Sequence, residues 1–258
     1  MCIRDSYGGG LLNSWLDRDL GLAGRLVTND GTVHLVRTGP ILRISQLAPH
    51  LDRSVNDDLK LDRQKHLLPI LSVANPDLDA EELLCEAASI SHDDLAFSDV
   101  FAHLTQSPAV IGARGEFLAS QRMDNLSSVH SSIAAFTHVA PRGDVAVMAC
   151  FDHEEVGSST RSGACGPFLE DVLVRIAEGL GHTGAQYRAM LARSSCISAD
   201  AGHGVHPNYV EKFDPNNHPL LNAGPLLKIN ANQRYASDAV GGALWRRVCR
   251  AAEVPTQD

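Results

Sequence analysis

The stretch that most constrains this chain lies near its middle. Val145–Cys150 is an unbroken apolar run, preceded by the turn residues Pro141, Arg142, Gly143 and Asp144. Almost at once it is followed by Asp152, His153, Glu154 and Glu155. A short continuous apolar run reads as a strand buried on both faces, as in a parallel sheet. In open α/β sheets the crevice beyond the carboxyl ends of the strands is where ligands bind. Two adjacent glutamates there suit a divided task, one holding a metal and the other handling the proton of the water it activates. Taken alone, the stretch also suits a solvated acidic loop, or acids favouring the start of a following helix.

At 258 residues the chain can bury a substantial core and divide into two domains. Its 44% hydrophobic and 21% charged residues are ordinary for a soluble globular protein. A formal charge of −9 argues against nucleic-acid or membrane-surface partners, which need clustered Lys and Arg. No run approaches a membrane span, and no signal peptide is visible. Six scattered cysteines, several in apolar runs and none in a CxxC pair, read as reduced thiols of a cytoplasmic protein.

Met1–Ser6 fits nothing that follows and reads as a cloning or assembly remnant. From Tyr7 the chain is rich in strands and turns. Gly24–Thr28 and Thr32–Thr38 flank Asn29-Asp30-Gly31, a strong hairpin signal. Ile41–Ile44 and Leu67–Val73 read as strands, Asn56–Lys65 as a loop, and Asp77–Ala88 as a helix with acids in its first turn. After Pro108 a glycine-bearing turn at Ala113–Gly115 leads to Asp124 and a helix-period run from Leu126 to Phe136. Further helices are predicted from about Pro167 to Gly179 and from Val240 to Ala252, the latter with Leu244, Trp245 and Val248 inward. Cys196–Ala199 and Lys228–Asn230 read as strands. Helices alternating with strands predict an α/β fold with a mostly parallel sheet. The boundary with a smaller β-rich domain falls near residue 112, giving domains at 1–112 and 113–258.

Asp124, Glu154/Glu155 and Asp200 each follow a strand-like run, and His203 and His206 follow Asp200 closely. Two divalent metals ~3.5–4 Å apart need a bridging carboxylate, terminal carboxylate or imidazole ligands, and a base. Asp124 suits the bridge, Glu155 and Asp200 terminal positions, and Glu154 the base. Mixed Asp, Glu and His ligation suits Zn, Mn or Co. Unrelated loop acids beside backbone-bonded imidazoles remain the alternative.

These residues also carry a resemblance to a known family. Trp15–Leu20, Pro40–Ile44, Arg122–Asn125, Asp152–Ser158, Ser198–His203, Val205–Tyr209 and Gln233–Ala236 resemble, in order, the motifs of the aspartyl aminopeptidases. Those are dinuclear-zinc enzymes that remove N-terminal Asp or Glu from peptides. The resemblance implies a zinc exopeptidase-like catalytic domain interrupted by a smaller dimerisation domain, assembled as a dodecamer. It implies that Asp124 bridges two zinc ions, that Glu155 binds one and Asp200 the other, and that Glu154 is the general base on the bridging water. His203 would contact substrate, Lys228 would meet its acidic side chain, and the Tyr235 hydroxyl would polarise the scissile carbonyl. His50 would reach into a neighbouring subunit's active site; on its own it reads as a surface imidazole after a proline.

Three departures follow from the same resemblance. The family has one zinc-binding histidine ahead of the inserted domain and another near its C-terminus, and this sequence contains neither position. The chain is therefore expected to be an internal fragment, inactive or insoluble by itself. His153 stands where a small polar residue such as Asn is common. Two other functions stay in view. Another two-metal amide hydrolase would have no use for Lys228 in its pocket, and a non-catalytic assembly subunit would be expected to lose some of the four acids.

Overall fold

The computed structural model of the chain describes residues 10–140 and 143–258. Met1–Ser6, Tyr7 and the Pro141–Arg142 part of the central turn lie outside the described residues. The chain divides into two compact units. One holds the chain up to Gln121 together with Ala149–Leu173, and the other holds Arg122–Met148 and Val174–Asp258.

The first unit is built on one strand, β1 (Asp19–Thr28). Side chains alternate along a strand, so Leu20, Leu22 and Leu26 share one face, and all three are fully buried. The Asn29-Asp30-Gly31 turn returns the chain as β2 (Val33–Arg37), antiparallel, from Ala23 opposite Arg37 to Val27 opposite Val33. Gly31 takes the left-handed φ of 84° that such a turn requires. Asp30 Oδ1 accepts hydrogen bonds from Thr28 Oγ1 at 2.6 Å and from the Thr32 amide at 3.0 Å. The two-residue strand β3 (Leu42–Arg43) pairs with Asp19 and Leu20.

β4 (Leu95–Leu104), for which the sequence offers only a short element of unspecified type after Ser91–Asp94, pairs antiparallel with nearly the whole of β1, from Leu20 opposite Leu104 to Val27 opposite Phe97. A Cβ at Gly24 would lie 2.2 Å from the Asp99 carbonyl oxygen, so β4 can approach this closely only because position 24 lacks a side chain. Helix α1 (Ala80–Ala88) closes the core with Leu84 and Cys85. It starts at Ala80 rather than Asp77 because the Asp79 carboxylate accepts the Glu81 amide and caps it. Burial, then the nearby Glu81, Asp79 and Glu82 charges, push the Cys85 thiol up, which keeps it protonated. Leu67–Val73 is not a strand: Ile70 alone bridges to Arg43, while Leu67 is buried in the core. β5 (Ala109–Ile111) and β6 (Phe117–Ala119) form a separate hairpin, and the boundary read near residue 112 falls in its turn.

The remaining helices are α2 (Met123–His138), α3 (Phe168–Gly179), α4 (Gly184–Arg193) and α5 (Ala239–Ala251). The sequence reading missed α4, although Thr183 and Gln186 form the reciprocal capping box that signals a helix start. α5 is capped by Asp238, whose carboxylate accepts the Gly241 amide at 2.7 Å.

The chain is α/β, but the expected parallel sheet is not formed among the described residues. Every named strand pair is antiparallel. Val145–Cys150 and Cys196–Asp200 carry no strand pairing, and in Leu226–Asn230 only Leu226 bridges, in parallel, to Gln257. A strand exists only through its partners, and these runs have almost none. The helix stripes follow suit. Leu244 and Val248 of α5 were expected inward, yet they are 38% and 51% exposed. An apolar stripe is buried only when a second layer covers it. Among the described residues no helix is long and apolar enough to cross a membrane, and Cys85, Cys150, Cys165, Cys196 and Cys249 are free.

Two outcomes test this account. Leu22→Ala should lower the unfolding free energy by about 2–5 kcal/mol in urea denaturation, as for a fully buried leucine. The Thr28 hydroxyl and Thr32 amide hold Asp30 at a pKa of about 2. A lowered pKa means that its contribution to stability is complete above the ordinary carboxylate range and is lost as pH falls through about 2. Acid unfolding of Asp30→Ala should lack that part of the pH dependence.

Candidate metal centre and substrate-binding residues

In the second unit the backbone sets the stage for Asp124. Arg122 sits in the left-handed region at φ 57°. Asp124 (φ −81°, ψ 114°) and Asn125 are non-helical, so Asp124 heads α2 in an extended conformation. The Asp124–Asn125 peptide is cis.

Asp200, at the end of the unpaired Cys196–Asp200 run, is joined to Lys228, whose Nζ donates to Asp200 Oδ2 at 2.5 Å. Asp124 lies near enough to influence the charge of both Asp200 and Lys228. Lys228 Nζ stands 5.7 Å from the centroid of the Tyr235 ring. Two carboxylates, an ammonium and a phenol thus share one patch. The lysine side chain is 28% exposed and that of Asp200 50%.

Partial burial works to raise the Asp200 carboxyl, but the hydrogen bond and charge of Lys228 outweigh it and hold the group below its ordinary value. For Lys228 the hydrogen bond to Asp200 leads. Opposed by desolvation and helped by the charges of Asp200, Tyr235 and Asp124, it raises the ammonium above its ordinary value. Each partner therefore keeps the other ionised.

Of the other predicted positions in this unit, His203 is exposed three residues past Asp200. His206 packs edge-on against Tyr209 with ring centroids 4.9 Å apart, and its Nδ1 accepts the Asn208 amide at 3.1 Å.

Glu154 and Glu155 belong to the first unit. They open a short 3-10 turn, Glu154–Val156, entered through His153 at φ 62° and left through Gly157 at φ 95°. Asn, Asp and His are the non-glycine residues that best tolerate this region. The position asks for a left-handed backbone, which His153 tolerates. The turn closes with the Gly157 amide on the Glu154 carbonyl at 2.8 Å and the Ser158 amide on the His153 carbonyl at 2.9 Å. Thr160 Oγ1 and Ser162 Oγ lie 2.9 and 3.2 Å from His153 Nδ1. Both glutamate side chains are exposed. His50, in the same unit, is exposed in the turn that begins at Ala48.

The structure thus brings together Asp124, Asp200, Lys228 and Tyr235, and fixes Glu154 and Glu155 on their own turn. Asp124 and Asp200 match zinc in donor chemistry, as anionic oxygens of the kind it takes at ~2.0–2.2 Å. They are two donors where zinc takes four, and among the described residues no group of three or more His, Cys, Asp or Glu side chains could hold a metal ion. Sequence reasoning missed the Lys228–Asp200 pair, whose members lie 28 residues apart with no local pattern joining them. It also missed the hydroxyls under His153, although the Ser- and Gly-rich run Gly157–Gly166 is a readable turn signal.

Comparison with known proteins agrees with the motifs. A probable M18 family aminopeptidase 2 of Streptomyces avermitilis is 46% identical over 97% of this chain. The cryo-EM structure of the Ape4 and Nbr1 complex matches 97% of the chain with a TM-score of 0.87 at 32% identity, covering 54% of that protein. The S. cerevisiae mApe1 dodecamer matches 97% of the chain with a TM-score of 0.75 at 25% identity, covering 59% of that protein. The chain spans about 60% of the length of the curated relatives it matches. The model of the aminopeptidase I zinc metalloproteases fits residues 3–258, and the chain belongs to that family, M18.

Proposed function

We propose that this chain carries the acidic part of a zinc aminopeptidase site that removes N-terminal Asp or Glu from peptides. The observation that carries the reading is the Asp124–Asp200–Lys228–Tyr235 patch: an ionised lysine held among carboxylates beside a phenol.

Asp124 and Asp200 would supply carboxylates to zinc, with Mn or Co as alternatives, and Glu155 is the further ligand that the family motifs imply. When bound, the metal polarises a carbonyl and makes water a nucleophile at neutral pH. This chain's residues do the rest. Glu154, presented on its turn by the His153 and Gly157 conformations, takes the proton from the attacking water and passes it to the leaving amine. Tyr235 donates its hydroxyl proton toward the carbonyl oxygen as charge develops there. His203 positions the substrate.

Lys228 selects the substrate's side chain. A partly buried ammonium rewards a carboxylate and penalises a neutral side chain that leaves it unpaired. In the free chain Asp200 neutralises it; engaging Asp200 with a cation would leave the ammonium to the substrate. The protein self-associates, as the mApe1 dodecamer does, and His50 reaches the active site of a neighbouring subunit. The cytoplasm, with its reduced thiols, is the site of action.

Lys228→Leu should lower kcat/KM for Asp- and Glu-terminated peptides by about tenfold to a hundredfold, the worth of one lost charged contact, and alter Ala- or Leu-terminated peptides little. Equal loss on all substrates would remove Lys228 from the specificity role. Asp124→Ala should weaken zinc binding, read by equilibrium dialysis, by at least about tenfold. Unchanged zinc content would dismiss Asp124 as a ligand.

A further inference from the structure

The acidic turn is tied to the rest of its unit through one imidazole. His153 immediately precedes Glu154, and its left-handed backbone aims the 3-10 turn. Its ring closes onto the following loop: Thr160 Oγ1 stands 2.9 Å from Nδ1 and Ser162 Oγ 3.2 Å. The backbone is crossed at the same place, with the Asp152 amide donating to the Ser162 carbonyl at 3.1 Å and the Cys165 amide to the Ser158 carbonyl at 3.1 Å.

The loop supplying those hydroxyls is closely packed. A Cβ at Gly163 would lie 2.2 Å from the Ser158 carbonyl oxygen, and one at Gly166 would lie 2.4 Å from that of Thr160. Thr160 therefore rides on a segment folded tightly on itself, whereas Glu154 and Glu155 are exposed on a turn of only three residues. Such a turn, with its side chains in solvent, holds its direction only if something outside it is fixed.

We propose that His153 is a positioning residue that holds the Glu154–Glu155 turn by anchoring its ring to Thr160 and Ser162. The inference rests on the aminopeptidase reading for its functional consequence, though not for its geometry. Nδ1 makes this contact in either tautomer, accepting from a hydroxyl when the ring proton is on Nε2 and donating to one when Nδ1 carries it. Asn at this position would keep the left-handed backbone but could not span to Thr160 in the same way. His153 thus adds a strut to a position that otherwise needs only conformational tolerance.

The test compares wild type, Thr160→Val, Thr160→Ser and His153→Asn in the 258-residue chain. Long-range nitrogen–proton imidazole spectra should show the same tautomer balance at His153 in wild type and Thr160→Ser, and a shifted one in Thr160→Val. Amide exchange at Asp152, Gly157 and Ser158 should quicken about tenfold in Thr160→Val and His153→Asn and stay near wild type in Thr160→Ser, with exchange in β1 and β4 unchanged. In zinc-supplied protein, Thr160→Val should lower kcat by about tenfold to a hundredfold with KM little changed, the signature of a misplaced base. Thr160→Ser should restore it.

Exchange unaffected by Thr160→Val, or a tautomer balance that Thr160→Val leaves unchanged, overturns the anchor whatever the activity. Loosened exchange with an unaltered kcat overturns its positioning role. If no variant, wild type included, cleaves any peptide, the inactive chain expected from the motifs is what remains, and the exchange results alone uphold or overturn the anchor.

Discussion

Everything ordered in the first unit depends on β1 having neighbours along both edges and a layer on one face. β2 and β3 share one edge, β4 takes the other, and Leu20, Leu22 and Leu26 turn to the layer completed by Leu84 and Cys85 of α1. The arrangement works because each requirement is met at a different residue. Leucines supply apolar area, Gly24 lets β4 come close, and Asp30 with Gly31 closes the hairpin. Burial of this kind is the main favourable term in folding, and here it is concentrated on one strand.

The second unit shows what happens when that condition is not met. Its runs Cys196–Asp200 and Leu226–Asn230 are almost unpaired, and helices α2 and α5 present leucines, isoleucine and phenylalanine to solvent. What order it has comes from caps and polar contacts: Asp238 on α5, the Thr183–Gln186 box on α4, the Arg246–Asp258 pair, and Lys228 with Asp200. Such contacts fix local geometry without needing a second layer. The candidate substrate patch therefore exists even where the surrounding sheet does not.

Electrostatics gives that patch its character. Lys228 among Asp124, Asp200 and Tyr235 is a cation whose charge is reinforced by its neighbours, and Asp200 is an anion reinforced in return. A pair of this sort resists protonation changes across the neutral range. It also makes the lysine available to a carboxylate ligand once Asp200 has another cation to hold. The acidic turn follows a different principle. There Glu154 and Glu155 are exposed, and their placement is a matter of backbone conformation and of what His153 touches.

How much of this was legible beforehand can be read from particular residues. The β1–β2 hairpin, the β5–β6 hairpin, α3, α5 and the body of α2 were all legible, because turn glycines and 3.6-residue periodicity are local properties of the chain. The family motifs around Asp124, Glu154, Glu155, Asp200 and Tyr235 were legible as well, since their order and spacing matched the M18 aminopeptidases to which the chain belongs. β4 was not, because a strand with a mixed pattern is defined by pairing with β1, some 75 residues away and invisible to any local window. Nor was the exposure of the α5 stripe, since periodicity says which face is apolar but not whether anything covers it. By itself, then, the sequence determined the turns, the helix faces and the family motifs, all of which are encoded within a few residues. Only tertiary structure decided that Lys228 meets Asp200, 28 residues away, and that His153 leans on Thr160, because side chains outside one local pattern acquire neighbours only when the backbone between them has been folded.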